Sequence, residues 1–231
     1  MIRKKRVFSQ QVPIKDNVKG WQNTLAGLPA FLIGNGPSIE GIEWSMLDGR
    51  FTIGINRVFP PYCPLDPTIL FWQDPETWYN EKQHISKTRA IKYCRDTADL
   101  SGRFFHFKLG SGGYRLPTDA ERLYGRGASG PLAFQLAFVM GCNPIILLGM
   151  DCCYRDGKTN YYGKNRYHSK HTLGNCQKGL EWIRDCGSGR FIINCSSNSV
   201  FDRRLTIDEA LQQLGDAKKL DRANLHKKIL G

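Results

Sequence analysis

No apolar run in the 231 residues approaches the roughly 18 that a membrane span needs, and this excludes a helical integral membrane protein from the expectations. The basic opening, MIRKKRVFSQ, is not followed by the apolar core of a secretory leader. The eight cysteines include no C-x-x-C pair, so thiolate zinc ligation is not expected. With no secretory signal, reduced thiols are expected, and with them a cytoplasmic location. The phosphate-binding signature G-x-x-x-x-G-K-[ST] is missing, which excludes a P-loop, and GNGPSI keeps only the first two glycines of G-x-G-x-x-G. There is no C2H2, homeodomain or RNP pattern to name a nucleic-acid module. D-x-D is also absent, and with it the usual carboxylate pair that holds a divalent metal on the diphosphate of a nucleotide sugar.

What is present is a folding composition, 41% hydrophobic and 11% aromatic, with a formal net charge of +12. The charge concentrates at Arg3–Arg6 and again at Lys218, Lys219, Arg222, Lys227 and Lys228. Those clusters suit solvated ends, or a polyanion such as nucleic acid or the inner membrane face. The chain is expected to divide into a basic arm (1–28), one α/β domain (29–215) and a basic tail (216–231). Apolar runs predict strands near 29–34, 50–59, 68–74, 90–95, 102–109, 144–151 and 190–196. Helices are predicted near 38–47, 129–142, 173–186 and 206–215. Ser129 is placed as the N-cap of the second, and Thr206 with Glu209 as a capping box on the last. Residues 111–127, with four glycines and no core periodicity, and the polar, aromatic segment 152–172 are expected to be lid excursions.

Strands that are apolar on both faces and alternate with helices predict a single open, mainly parallel, Rossmann-like sheet flanked by helices, with a small lid. In such sheets ligands bind beyond the carboxyl ends of the strands. The polar residues fall there: Asn35, Gly36 and Ser38 after the first strand, Asn56 after the second, Asp74 after the third and Asp151 after PIILLG. Ser129 and Gly130 open a helix, where free N–H groups favour phosphate. Gly, Asn and Asp populate such turns for conformational reasons too, so the set carries the nucleotide reading rather than any one member.

GNGPS, the Asn of GINRVF, SGPLAFQLAFVMGCNPIILLGMDCCYRDG, NYYG, YHSKHT and NCSSNS, in this order and spacing over about residues 30–200, resemble the sialyltransferases of glycosyltransferase family 42. That resemblance implies a GT-A-like sheet and a metal-independent transferase that moves a sugar of sialic-acid type from a CMP-sugar to an acceptor hydroxyl. Asn35, Gly36, Ser38, Asn56, Ser129, Gly130 and Asp151 would then hold the nucleotide. Tyr154 and Tyr162 would hydrogen-bond the leaving phosphate, and His168 would be the general base. No metal and no cofactor beyond the donor substrate are implied. The implied partners are the nucleotide sugar and a glycan or other hydroxyl acceptor, with a homo-oligomer left open. GMDCCY carries one residue more than the pattern, so Cys153 and Tyr154 both stand for one place. Tyr161 and Tyr162 are adjacent, and His171 follows His168 by three, so those choices are also open. GNGPS alone is similar to the opening of the 6-hydroxymethylpterin diphosphokinase-like family, which implies Mg²⁺-dependent diphosphate transfer from ATP. A third alternative is a nucleotide- or nucleic-acid-binding protein without chemistry.

Overall fold

A computed structural model describes residues 18–125, 127–163, 170–198, 200–215 and 219–230, except the side chains of Lys170 and His171. Eight strands form one sheet: β1 (Ala30–Ile33), β2 (Phe51–Ile55), β3 (Ile69–Trp72), β4 (Ile91–Arg95), β5 (Phe105–Gly110), β6 (Arg122–Tyr124), β7 (Ile145–Leu148) and β8 (Ile192–Asn194). Their order is β6-β5-β4-β3-β2-β1-β7-β8, and every neighbouring pair is parallel. The fold is thus an open, Rossmann-like α/β sheet, all parallel rather than mainly so. The chain adds β2 to β6 on one side of β1, then returns to add β7 and β8 on the other. Strand order therefore reverses between β1 and β7.

Parallel strands need both faces covered, and the alternation of side chains shows how this is done. Leu32, Ile53, Phe71, Tyr93 and Leu147 face a layer built on α2 (Ser129–Val139) and α3 (Lys170–Asp185). The opposite face divides. Phe31, Ile33, Ile146 and Leu148 pack with Ile39, Leu47 and Ala210, the last from α4 (Ile207–Leu214). Leu70, Trp72 and Cys94 pack with Ile85 of α1 (Pro75–Ile85). The predicted Thr206–Glu209 capping box is present on α4. No helix among the described residues is long and apolar enough to cross a membrane.

Four expectations change. The predicted helix near 38–47 is two short 3₁₀ turns, Pro37–Ile39 and Trp44–Leu47. Part of 111–127 is β6, with Ala120 and Leu123 fully buried. The arm is not free over its described part: Val18, Trp21 and Leu25 enter the core, and residues 23–27 hydrogen-bond the carboxyl end of α2. The tail likewise contains α5 (Arg222–Leu230), which buries Leu225 and Ile229.

Candidate functional site

Backbones meet closely where strand order reverses. A β-carbon on Gly34 would lie 2.4 Å from the Gly149 carbonyl oxygen, and one on Gly36 would lie 2.5 Å from the Asp151 carboxyl. The Gly36 N–H donates to the Gly149 carbonyl at 2.7 Å. Only glycine permits this approach, which answers why the chain leaves a buried strand through glycines. Asp151, 2% exposed, accepts from the Ser38 N–H at 2.7 Å, the Ser38 hydroxyl, and the Ser197 N–H at 2.9 Å. Ser196 accepts from the Met150 N–H at 2.8 Å and donates to the Leu147 carbonyl at 3.1 Å. The loops after β1, β7 and β8 are therefore laced together. Gly36, Ser38 and Asp151, all expected at the nucleotide, come together by bonding and packing on one another.

The neighbouring strand ends are different. Asn35 donates from Nδ2 to the Ile55 carbonyl at 2.8 Å, and its Oδ1 is buried with no partner among the described residues. Asn56 sits in the left-handed region at φ 55°, which Asn tolerates better than most residues, and its Oδ1 is also buried with no partner among the described residues. Gln73, 2% exposed just past the end of β3, leaves Nε2 without a partner among the described residues. An unmatched buried polar atom costs about 1–3 kcal/mol, so three at adjacent strand ends form a surface that a polar ligand would complete. Sequence reasoning missed Gln73 because it gave the strand end to Asp74. That residue instead stands exposed at the N-cap of α1 without a side-chain capping bond.

Beside these residues lies a charged and aromatic cluster. The Arg57 Nε donates to Glu81 at 2.8 Å, and the Tyr62 hydroxyl is 2.9 Å from both Glu81 oxygens. The guanidinium carbon lies 5.2 Å from the Tyr62 ring centroid and 5.4 Å from that of Tyr162. Burial works to lower the Arg57 pKa, but the Tyr162 phenol and Glu81 carboxylate hold it above its ordinary value. Tyr62 is raised by burial and by its hydrogen bond to Glu81. Tyr161 donates its hydroxyl to the Arg57 carbonyl at 2.8 Å and its N–H to the Asn35 carbonyl at 2.9 Å, and burial pushes its phenol up. The adjacent tyrosines are thus distinguished: Tyr161 is a clamp on the backbone, and Tyr162 meets the cation. Arg57 was legible only as the residue after Asn56; Tyr62 and Glu81 gave no signal.

The α2 amino terminus is shifted by one residue from expectation. Ala128 is the N-cap and Ser129 the first helical residue, and no side chain caps the helix. The extended conformation of Ala128 lets the helix start one residue early, so Ser129 does not serve as the cap. A β-carbon on Gly130 would lie 2.8 Å from the Met150 sulfur, which places this uncapped turn against the end of β7. Tyr154 is exposed, and the Cys153 thiol donates to the Ser197 carbonyl at 3.4 Å. Cys152 packs against the core, its thiol raised by hydrogen bonding to Cys176 and by burial. His168 lies outside the described residues, as does the side chain of His171, whose backbone belongs to the first turn of α3. Among the described residues no three His, Cys, Asp or Glu side chains converge as a metal site. A cavity of about 760 Å³ opens at the other, amino-terminal edge, beside Leu28, Pro144 and Phe191, away from these residues.

No family model matches the chain, and no curated protein matches it. Among solved structures, it is similar to the MAf glycosyltransferase from Magnetospirillum magneticum AMB-1, with a TM-score of 0.55 and 16% identity over 90% of this chain. The chain spans 38% of that protein's length. It is also similar to the Campylobacter jejuni sialyltransferase CstII in complex with cytidine-5'-monophosphate, at a TM-score of 0.46 and 13% identity, covering 88% of this chain and 98% of that one. The Campylobacter jejuni α-2,3-sialyltransferase Cst-I gives 0.45 and 13%, covering 73% and 75%. At these identities the likeness concerns the fold.

Proposed function

We propose that the chain is a glycosyltransferase domain that takes a CMP-sugar, of sialic-acid type, and transfers the sugar to an acceptor hydroxyl. The observation that carries this is the row of unpartnered Asn35 Oδ1, Asn56 Oδ1 and Gln73 Nε2 at the carboxyl ends of β1 to β3. A base and ribose offer the donors and acceptors to complete such a row. The uncapped first turn of α2, with no acidic residue in it, supplies N–H groups for the phosphate. In this reading an acceptor hydroxyl attacks the anomeric carbon, the bond to the phosphate oxygen breaks, and CMP leaves with that electron pair. His168 takes the acceptor's proton. Tyr162 faces the departing phosphate, with Tyr154 at the lip. The family 42 motifs in the sequence and the glycosyltransferases among similar folds support the reading; the acceptor stays at the level of a hydroxyl on a glycan or similar molecule.

Calorimetry against CMP, CDP, UDP, GDP and ATP tests it. CMP is expected to bind, and turnover of a CMP-sugar to survive EDTA. Binding of ATP in preference to CMP, with turnover lost on chelation and restored by Mg²⁺, would replace this reading with diphosphate transfer. In a working assay His168→Ala is expected to lower turnover by about 10²–10⁴-fold with CMP affinity nearly unchanged. His171→Ala is the mild control.

A further inference from the structure

We infer that Arg57 binds the leaving phosphate, as a cation held in place by Glu81 and Tyr62. This rests on the CMP-sugar reading and says where the positive charge comes from. A CMP-sugar carries one negative charge on its phosphodiester. When the bond to the sugar breaks, the electron pair stays on the phosphate oxygen, and CMP leaves as a monoester with a second charge. A site without a carboxylate pair for a metal needs another source of positive charge for that moment.

Arg57 directly follows Asn56, and its carbonyl accepts from Tyr161, whose own N–H reaches Asn35. The residue therefore belongs to the same closed ring of contacts as the two unpartnered amides. Glu81, with a side chain 4% exposed, is bonded by the Arg57 Nε, while the Arg57 side chain is 27% exposed. The Tyr62 hydroxyl, 2.9 Å from both Glu81 oxygens, adds a second donor to that carboxylate. Glu81 takes the Nε hydrogen, and the Tyr162 phenol, 5.4 Å from the guanidinium carbon at its ring centroid, hydrogen-bonds the same side chain, so the planar fork is held by groups on two segments. A guanidinium held in this way presents its fork to two phosphate oxygens at once. A surface ion pair would need neither a buried carboxylate nor two flanking rings. Stability alone does not call for such a pair, since well-packed apolar residues of similar volume often serve as well or better. The structure assigns Glu81 and Tyr62 as positioning residues and Arg57 as the group that touches the phosphate.

The test compares CMP with cytidine, which lacks the phosphate, by calorimetry on the wild-type chain, on the charge-neutral pair Arg57→Gln with Glu81→Gln, and on Arg57→Lys. The double variant leaves no buried charge unpaired, and Arg57→Lys keeps the pair with Glu81; thermal melts establish that each folds. The double variant is expected to lose about 10–100-fold in CMP affinity, with cytidine within about twofold of wild type. Arg57→Lys is expected to lose roughly 3–10-fold for CMP alone, as the fork is replaced by a point charge. A wild-type ratio of CMP to cytidine affinity in either folded variant overturns the role of Arg57 and leaves the donor reading standing. Failure of the wild-type chain to bind CMP overturns both.

Discussion

The carboxyl edge of the sheet has two halves built to different rules. Around β1, β7 and β8, donors are matched to acceptors: Asp151 takes three donors, Ser196 donates and accepts, and Gly34 and Gly36 let backbone touch backbone. Around β1, β2 and β3, Asn35, Asn56 and Gln73 each keep an atom with no partner among the described residues, and Arg57 bonds Glu81 through Nε. Residues that look alike in sequence, a Gly, Asn or Asp after an apolar strand, therefore do opposite work. In the first half they close the structure on itself. In the second they leave polar atoms unmatched among the described residues.

Substitutions separate the halves, and the largest effect belongs to the closed one. Gly34→Ala forces a β-carbon to within 2.4 Å of backbone that cannot move aside. It is expected to cost about 3 kcal/mol, read as a fall of roughly 6–12 °C in melting temperature. A melt within a degree of wild type would show that the β1–β7 approach is looser than described. Next comes Asp151→Asn, which replaces one accepting oxygen by a donor facing Ser38 or Ser197. Urea unfolding should show a loss of about 2 kcal/mol with the slope unchanged.

In the open half the balance reverses. Asn56→Gly preserves the left-handed backbone at φ 55° and removes the unmatched oxygen. Stability is expected to stay within about 1 kcal/mol, while CMP affinity falls about tenfold. A large loss of stability with affinity intact would move Asn56 into the closed class.

The smallest effect is a control far from both halves. On α5, His226 has a buried, unpartnered Nε2, and burial, helped by Arg222, Lys92 and Arg89 and opposed by Asp66, lowers its pKa from the ordinary 6.5. The unfolded chain then binds more protons than the folded one between those two values, so stability falls as pH drops below about 6.5. Melting curves from pH 7.5 to 5 should show this slope, and His226→Gln should flatten it without altering the contrast between the halves.

The sheet was legible because its strands are short apolar runs, and a parallel sheet needs exactly such runs covered on both faces. AFLI, FTIGI, ILFW and IILL are buried throughout. What was not legible follows from weak burial. In α1, PETWYNEKQHI, only Glu81 and Ile85 are buried, so no apolar stripe shows in the sequence, although Pro75 at its first turn favours the helix. In β6, RLY, only Leu123 is fully buried, and three residues cannot show a period of two. For the site, the strand-end residues could be found, but the division between matched and unmatched could not. Whether Asp151 meets Ser38, or the Asn56 Oδ1 has no partner among the described residues, depends on contacts between loops distant in sequence. Glu81 is the clearest case: an acidic residue on a polar helix reads as solvated until Arg57 and Tyr62 are seen beside it.

Trp21 and Leu25 from one end of the described chain, and Leu225 and Ile229 from the other, insert into the same hydrophobic layer as α2. The unit that folds is accordingly wider than the run from first strand to last amphipathic helix. A fragment cut at 29 and 215 for expression would strip apolar side chains from both margins of one layer and leave that layer wet. Tags and fusions are better joined outside residues 18 and 230, where no buried side chain of the described core is given up.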